Sequence, residues 1–338
     1  MKRAVIAFLK VAVPLAIGVY LVLYFYDALN AEQREQLFIA FRQADPEWLL
    51  IATVIGWCSH AVRAWRWGYL LEPLGHRTGF WNRYHAVMIG YFMNLFIPRA
   101  GEASRPASLQ RTEKVPFEQG FGTTLAERVV DVAVLLLIAL VTLLMQLDKI
   151  DLFKERIAAF RAEQATTDTG SDLLWMLVLA VLVIGGGVAA VMVYRNERWR
   201  ARLMDLLRGF SAGLTTVLRT PHKGAFIAHS LLIWACYFAM FQCGLFCLPS
   251  TAEVPLAGVL AAFVAGAIGI VLVQGGIGVY PAFVGLIITV YMGLPEGGGS
   301  IQPDALAVGW LLWLVQTLVI IVLGGVSLLL LALKRPSP

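Results

Sequence analysis

Six stretches of this chain, 5–26, 48–71, 121–146, 173–194, 224–248 and 305–333, are each long and apolar enough to cross a bilayer as a helix. A crossing takes about 20 mostly apolar residues, because the hydrocarbon core is about 30 Å thick and a helix rises about 1.5 Å per residue. Repetition of that feature settles the fold class. Lipid offers no partner to a free backbone amide, so a chain that enters it so often must satisfy its backbone within helices. Composition agrees, with 59% of the 338 residues hydrophobic and 14% charged, against about 45–50% and about 25% in a soluble domain. A soluble enzyme, a disordered tail and a nucleic-acid-binding module are excluded. The net charge of +5 is the signature of basic cytoplasmic loops, not of nucleic-acid binding.

Three further apolar runs, 84–97, 255–273 and 279–293, are shorter or broken. The first long run follows Lys2 and Arg3, as a signal peptide would, but only Ala28-Leu29-Asn30-Ala31 comes after it. With no A-x-A cleavage site, it reads as an uncleaved helix. Loop charge sets orientation. Lys2, Arg3 and Lys10 place the N-terminus in the cytoplasm, and Lys334 and Arg335 place the C-terminus there. The loop 195–223 carries seven bases against Glu197 and Asp205, so it is cytoplasmic, whereas 27–47, with five acids beside Arg34 and Arg42, lies outside.

Parity then constrains the rest. Helix 121–146 must begin inside, so 84–118 leaves the cytoplasm and returns to it as a re-entrant hairpin turning at Pro98-Arg99. The stretch 255–293 starts and ends outside, either as a second hairpin turning at Gly275, Gly276 and Gly278 or as two crossings. The expected architecture is an all-α integral membrane domain of about six transmembrane helices plus two re-entrant hairpins. Its halves, 1–146 and 173–338, have inverted orientation and are joined by an outer loop, 147–172. Inverted repeats with interrupted helices are a common plan of transporters whose site lies near the midplane.

Charges inside the apolar runs are the functional candidates. Glu127 and Asp131 are spaced i, i+4 on one helix face, with Arg128 about 100° away and within reach of Asp131. A charge at membrane depth costs roughly 2.5–3.5 kcal/mol on insertion scales, so three together require partners. Arg99, Glu102 and Arg105 on the inner hairpin are the expected ones. The group reads either as a network stapling the hairpin to the helix or as a polar cavity receiving an anionic headgroup, since guanidinium binds phosphate bidentately. Arg63 and Arg66, next to Trp65 and Trp67, read either as snorkelling interfacial anchors or as headgroup contacts. Asn94 can bond carbonyls freed at the broken helix. His60, His85 and His229 stand alone and read as packing residues. Cys58, Cys236, Cys243 and Cys247 lack the histidine or carboxylate a metal site would need, and neither metal nor cofactor is expected. Gly185-Gly186-Gly187 reads as a close helix contact.

The ordered series Arg63-x-x-Arg66-Trp67, Asn94-x-x-x-Pro98-Arg99-x-Gly101-Glu102-x-x-Arg105, Glu127-Arg128-x-x-Asp131 and Gly275-Gly276-Ile277-Gly278 resembles the lysylphosphatidylglycerol synthase transmembrane, flippase-like family, over about residues 5–333. Some relatives fuse this membrane unit to a soluble aminoacyltransferase. Here the sequence stops at Pro338, so no synthase activity is expected. Two positions depart from the pattern: Pro281, preceded by Tyr280, stands where many members carry a glutamate, and Gln274 stands where proline is frequent. The resemblance implies a bacterial inner-membrane lipid translocase, with an anionic phospholipid or polyprenyl-phosphate headgroup held by Arg99, Arg105 and Arg128 and a second copy of the chain as an open question. Two other readings stand beside it. One is a membrane-embedded glycosyl or acyl transferase, although no H-E-x-x-H or D-x-D occurs. The other is a scaffold for a lipid-processing enzyme.

Overall fold

The computed structural model describes residues 2–27, 29–97, 99–147, 201, 217, 220–295 and 301–333, and every regular element among them is helical. The expected helix 173–194 with its glycine triplet, the loop 147–172 apart from Leu147, most of 195–223, Pro98, Lys334 and Arg335 lie outside the described residues. The helices longer than four residues are α1 (Lys2–Asp27), α2 (Ala31–Gln43), α3 (Pro46–Leu71), α4 (Phe80–Phe96), α5 (Ala100–Glu113), α6 (Phe117–Gln146), α7 (Lys223–Leu245), α8 (Leu256–Leu272), α9 (Val279–Met292) and α10 (Pro303–Leu333). Three of them, α6, α7 and α10, are long and apolar enough to cross a membrane, with shorter apolar segments at Leu15–Asp27, α8 and α9. The helix α3 is long enough but is interrupted by Ser59, His60, Arg63 and Arg66, all of them buried inside the protein.

The acidic stretch 27–47, expected as a loop, contains the helix α2. The Asn30 side chain accepts from the Gln33 amide at 2.9 Å, and the Gln33 side chain accepts from the Asn30 amide at 3.0 Å. This reciprocal cap nucleates a helix too polar to span lipid, and Gln33, Leu37 and Ala40 turn inward along one stripe.

Both broken apolar runs form antiparallel helical hairpins. In the first, Ile97 precedes proline and is therefore held out of the helical region, at φ −130° and ψ 123°. Arg99 then takes a left-handed conformation, φ 60°, and α5 runs back along α4. The Asn94 side chain accepts from the Gly101 amide at 2.7 Å, and Asn82 donates to Glu113 at 2.6 Å near the open end. Asn94 thus satisfies an orphan amide at the start of α5. In the second hairpin Gly275, Gly276 and Gly278 all have φ near +70°, a region open to glycine at little cost. Gly266 and Gly269 let α9 approach α8 so closely that Tyr280 fills the space a side chain would occupy.

The two hairpins point at one another along α10. Gly309 lies against Pro281 and Trp313 donates to the Gly275 carbonyl at 2.6 Å, whereas farther along the same helix Gly324 packs on Phe92 and Ser327 bonds His85 at 2.9 Å. The tips meet beside the middle of α10, where Leu95 approaches Gly275. The packing is matched in pairs: α3 lies along α7 and α4 packs on α10 as α8 packs on α6, contacts that join residues 1–146 to residues 220–333, and within each of those stretches α5 packs on α6 as α9 packs on α10.

Closeness at the first hairpin gives a test. A methyl group at Gly101 would stand 2.7 Å from the Asn94 amide nitrogen and overlap the Gly90 carbonyl, whereas at Gly122 it would meet nothing within 4 Å. Overpacking of this kind costs about 1–3 kcal/mol. Gly101→Ala is expected to lower the thermal unfolding midpoint of detergent-solubilised protein, and Gly122→Ala to leave it unchanged.

Candidate functional site

Buried charge concentrates where α3, α5 and α6 meet. Arg63 and Arg66 sit one turn apart on α3 and face Glu127 and Asp131, one turn apart on α6. The contacts alternate in sign along a continuous chain. Arg63 Nη1 lies 2.6 Å from Asp131 Oδ2, Arg66 Nη1 2.9 Å from Asp131 Oδ1, Arg66 Nε 3.3 Å from Glu127 Oε1, and Arg105 Nη2 2.6 Å from Glu127 Oε2. Arg66 is 0% exposed and Glu127 1%. In so apolar a setting an unpaired charge would be far costlier than a paired one. The surroundings supply the remaining partners. Arg66 donates to Ser230 at 2.9 Å and Arg63 to the Tyr237 hydroxyl at 3.2 Å, both on α7. The Arg105 guanidinium lies 3.9 Å over the Trp67 ring, whose indole donates to Thr123 at 2.9 Å.

Beside this network is a partly open cavity of about 360 Å³ lined by residues of α3, α4, α6, α7, α8, α9 and α10. Its volume falls within the range of small-molecule sites, about 300–1,000 Å³. Charged side chains on its wall are Arg63, Arg128 and Asp131; His60, Tyr91, Tyr237, Trp234, Tyr280 and Gln316 add polar edges. Leu95, Val132, Leu135, Phe263, Ile270 and Val315 make the rest apolar.

The expected residues separate into three groups. Arg63, Arg128 and Asp131 line the cavity. Arg66, Arg105 and Glu127 are buried beside it in the ion-pair chain. Burial therefore excludes the snorkelling reading of Arg63 and Arg66. Arg99 is exposed at the hairpin tip, outside the ion pairs, and Glu102 is half-buried beside a narrow gap that Asn94, Arg105 and Arg128 also line. Of the three hairpin charges expected as partners, Arg99, Glu102 and Arg105, only Arg105 reaches the carboxylates of α6. Asp131 takes Arg63 and Arg66 as partners, so the expected Arg128–Asp131 pair is absent. Among the described residues Arg128 makes no ion pair or hydrogen bond, and its side chain is half-buried at the cavity wall. Gly275 reaches the cavity from the second hairpin tip. His85 and His229 are held by Ser327 and the Ala225 carbonyl, whereas His60 lines the cavity with its Nδ1 buried and unpartnered.

Sequence reading missed Tyr91, Ser230, Trp234, Tyr237 and Gln316. Gln316 left a signal, as a lone amide in the interior of a 31-residue apolar helix. The aromatic residues left none, because tyrosine and tryptophan occur throughout membrane helices as packing and interfacial groups.

Comparison with known proteins places these motifs in context. A family model described as the lysylphosphatidylglycerol synthase TM region matches residues 11–325. A UPF0104 membrane protein of Methanocaldococcus jannaschii is 30% identical over 99 residues, 28% of this chain and 30% of that protein. A UPF0104 membrane protein of Methanothermobacter thermautotrophicus is 25% identical over 210 residues, 58% of this chain and 61% of that protein. The matches therefore span less than two thirds of either relative. No solved structure matches the chain.

Charge balance in the buried chain predicts unequal costs. Three guanidiniums, those of Arg63, Arg66 and Arg105, face two carboxylates, those of Glu127 and Asp131. Removing Arg66 leaves two neutral pairs, whereas Asp131→Asn strands Arg63 without a carboxylate. Asp131→Asn is expected to cost roughly 3–5 kcal/mol, the range for a buried charge that loses its partner, and Arg66→Met distinctly less. Thermal unfolding of the two variants, with Arg63→Met added to Asp131→Asn to recover part of the loss, checks the order.

Proposed function

The chain belongs to the lysylphosphatidylglycerol synthase transmembrane-region family, and on that footing we propose that it is a lipid translocase moving an anionic phospholipid or polyprenyl-phosphate lipid between leaflets. The observation that carries this reading is the cavity itself. Two side chains of a cationic set, Arg63 and Arg128, open onto a chamber whose remaining wall is largely apolar. A phosphate would displace no existing partner of Arg128, and guanidinium suits phosphate geometry. Acyl chains would stay against lipid outside while the headgroup occupies the chamber.

The two halves supply the means of motion. Their matched packing, and hairpins that meet tip to tip beside α10, support a reading as inverted repeats in which α4–α5 and α8–α9 are re-entrant from opposite faces. Rocking of one half against the other would open the chamber to each leaflet in turn. In this reading the protein lies in the cytoplasmic membrane with both termini inside, and the unit makes and breaks no covalent bond. The ion-pair chain positions Arg63 and fixes α3 to α6, so that this side of the chamber moves as one body.

Arg128 is the residue to test, because its removal breaks no ion pair among the described residues. Protein reconstituted into vesicles with fluorescent-tailed phosphatidylglycerol is expected to speed exchange between leaflets, and Arg128→Gln to slow it by about tenfold, the equivalent of about 1.4 kcal/mol of lost phosphate contact. Its unfolding midpoint should stay unchanged. Vesicles in which no anionic lipid exchanges faster than in protein-free controls would overturn the proposal.

A further inference from the structure

Two charges are left over where the ion-pair row meets the chamber. A narrow gap of about 10 Å³ lies among α3, α4, α5 and α6, and Arg63, Tyr91 and Arg128 line both it and the chamber. The guanidiniums of Arg63, Arg105 and Arg128 border the gap, together with a single carboxylate, that of Glu102. Arg63 is held by Asp131 and Arg105 by Glu127. Glu102 and Arg128 make no ion pair or side-chain hydrogen bond among the described residues, with each other or with anything else. One acid and one base thus face the same gap, both unpaired. Arg99, three residues before Glu102, is exposed at the hairpin tip and does not line the gap.

Size and charge decide what can stand between them. The gap's volume is close to the roughly 10–15 Å³ that one water needs, and three guanidiniums around it make it a poor place for a metal cation. Both residues are half-buried, so an attraction between them is screened less than one in open water. The Arg105–Glu127 contact ties α5 to α6 at this level, which leaves closing the gap to the long Arg128 side chain. Glu102 also lies in the first turn of α5, where a carboxylate meets the positive end of the helix. That placement accounts for an acid early in the helix, but not for its sharing a gap with Arg128.

We infer that Glu102 is the counter-ion that Arg128 takes when the chamber is empty, so that Glu102 and a headgroup phosphate compete for one guanidinium. Arrival of the phosphate holds Arg128 on the chamber side and leaves Glu102 to water. Departure returns Arg128 to Glu102, and the empty protein changes conformation without an unpaired cation at membrane depth, where a lone charge is costly. The arrangement described, with both residues unpaired, is the one open to a headgroup. This inference rests on the translocase reading and adds to it how the site releases its cargo.

The test pairs calorimetric titration of the solubilised full chain with dihexanoyl phosphatidylglycerol and leaflet exchange of fluorescent-tailed phosphatidylglycerol in vesicles. Glu102→Gln is expected to bind the short-chain lipid about tenfold more tightly, the equivalent of about 1.4 kcal/mol, and to exchange the tailed lipid several-fold more slowly, because release has lost its competitor. In an Arg128→Gln background the same change is expected to leave affinity within about twofold, since the competitor then has no guanidinium to compete for, and that non-additivity marks a direct coupling. An equal gain in both backgrounds would mean that Glu102 acts through its field on the whole site, and would overturn the inference. So would wild-type binding with unchanged affinity in Glu102→Gln, whether or not the unfolding midpoint falls; the headgroup site would stand and Glu102 would serve only the start of α5. If neither the wild-type protein nor Glu102→Gln binds the lipid, the headgroup site and this inference fall together.

Discussion

Five charged side chains buried in one row hold the centre of this protein. Arg63, Asp131, Arg66, Glu127 and Arg105 alternate in sign across three helices, and in a low-dielectric interior none of them is stable without its neighbours. That mutual dependence fixes the register of α3 against α6 and holds α5 of the first hairpin to both. It also explains why α3, full-length yet interrupted by arginines, can lie at membrane depth: its charged face is spent on protein, and its exposed large side chains, such as Leu50, Ile51 and Val54, are apolar.

Beside that row, space is created by chain breaks. Proline at position 98 and glycines at 275, 276 and 278 end α4 and α8 before either has run the length of α6 or α10. The tips meet beside the middle of α10, and the volume that two complete helices would have filled remains as the chamber. Arg128 overlooks it for a reason of helical geometry. It is one residue beyond Glu127, about 100° around α6, so it points away from the acid–base row that engages its neighbours. Arg128, next in sequence to Glu127, is therefore left without an ion pair among the described residues, which is what makes it the centre of the proposed headgroup site.

Legibility in the sequence followed the physics of each signal. Helix breaks at Pro98 and at the 275–278 glycines were readable because backbone sterics act locally, and the hairpins formed there. The i, i+4 pair Glu127 and Asp131 was readable as a group requiring partners, but the partners were not. Arg99, Glu102 and Arg105 looked equivalent on one hairpin, yet only Arg105 points back at α6, while Arg63 and Arg66, more than 60 residues upstream, carry most of the pairing. Charge tells that a partner must exist; which residue supplies it depends on how helices far apart in sequence come together. The helix α2 escaped notice because it is polar, and its evidence was a two-residue reciprocal cap instead of an apolar run.

The sequence by itself determined that the chain is helical and membrane-embedded, where its helices break, and that charges at 127–131 must be compensated. Those are consequences of lipid solvation and backbone sterics, which act on each segment alone. Tertiary structure decided which charges neutralise one another, and that of the two arginines on the chamber wall Arg128 is the one without an ion pair among the described residues. Those outcomes arise from packing, since a side chain's partners are set by the helix that comes to lie against it.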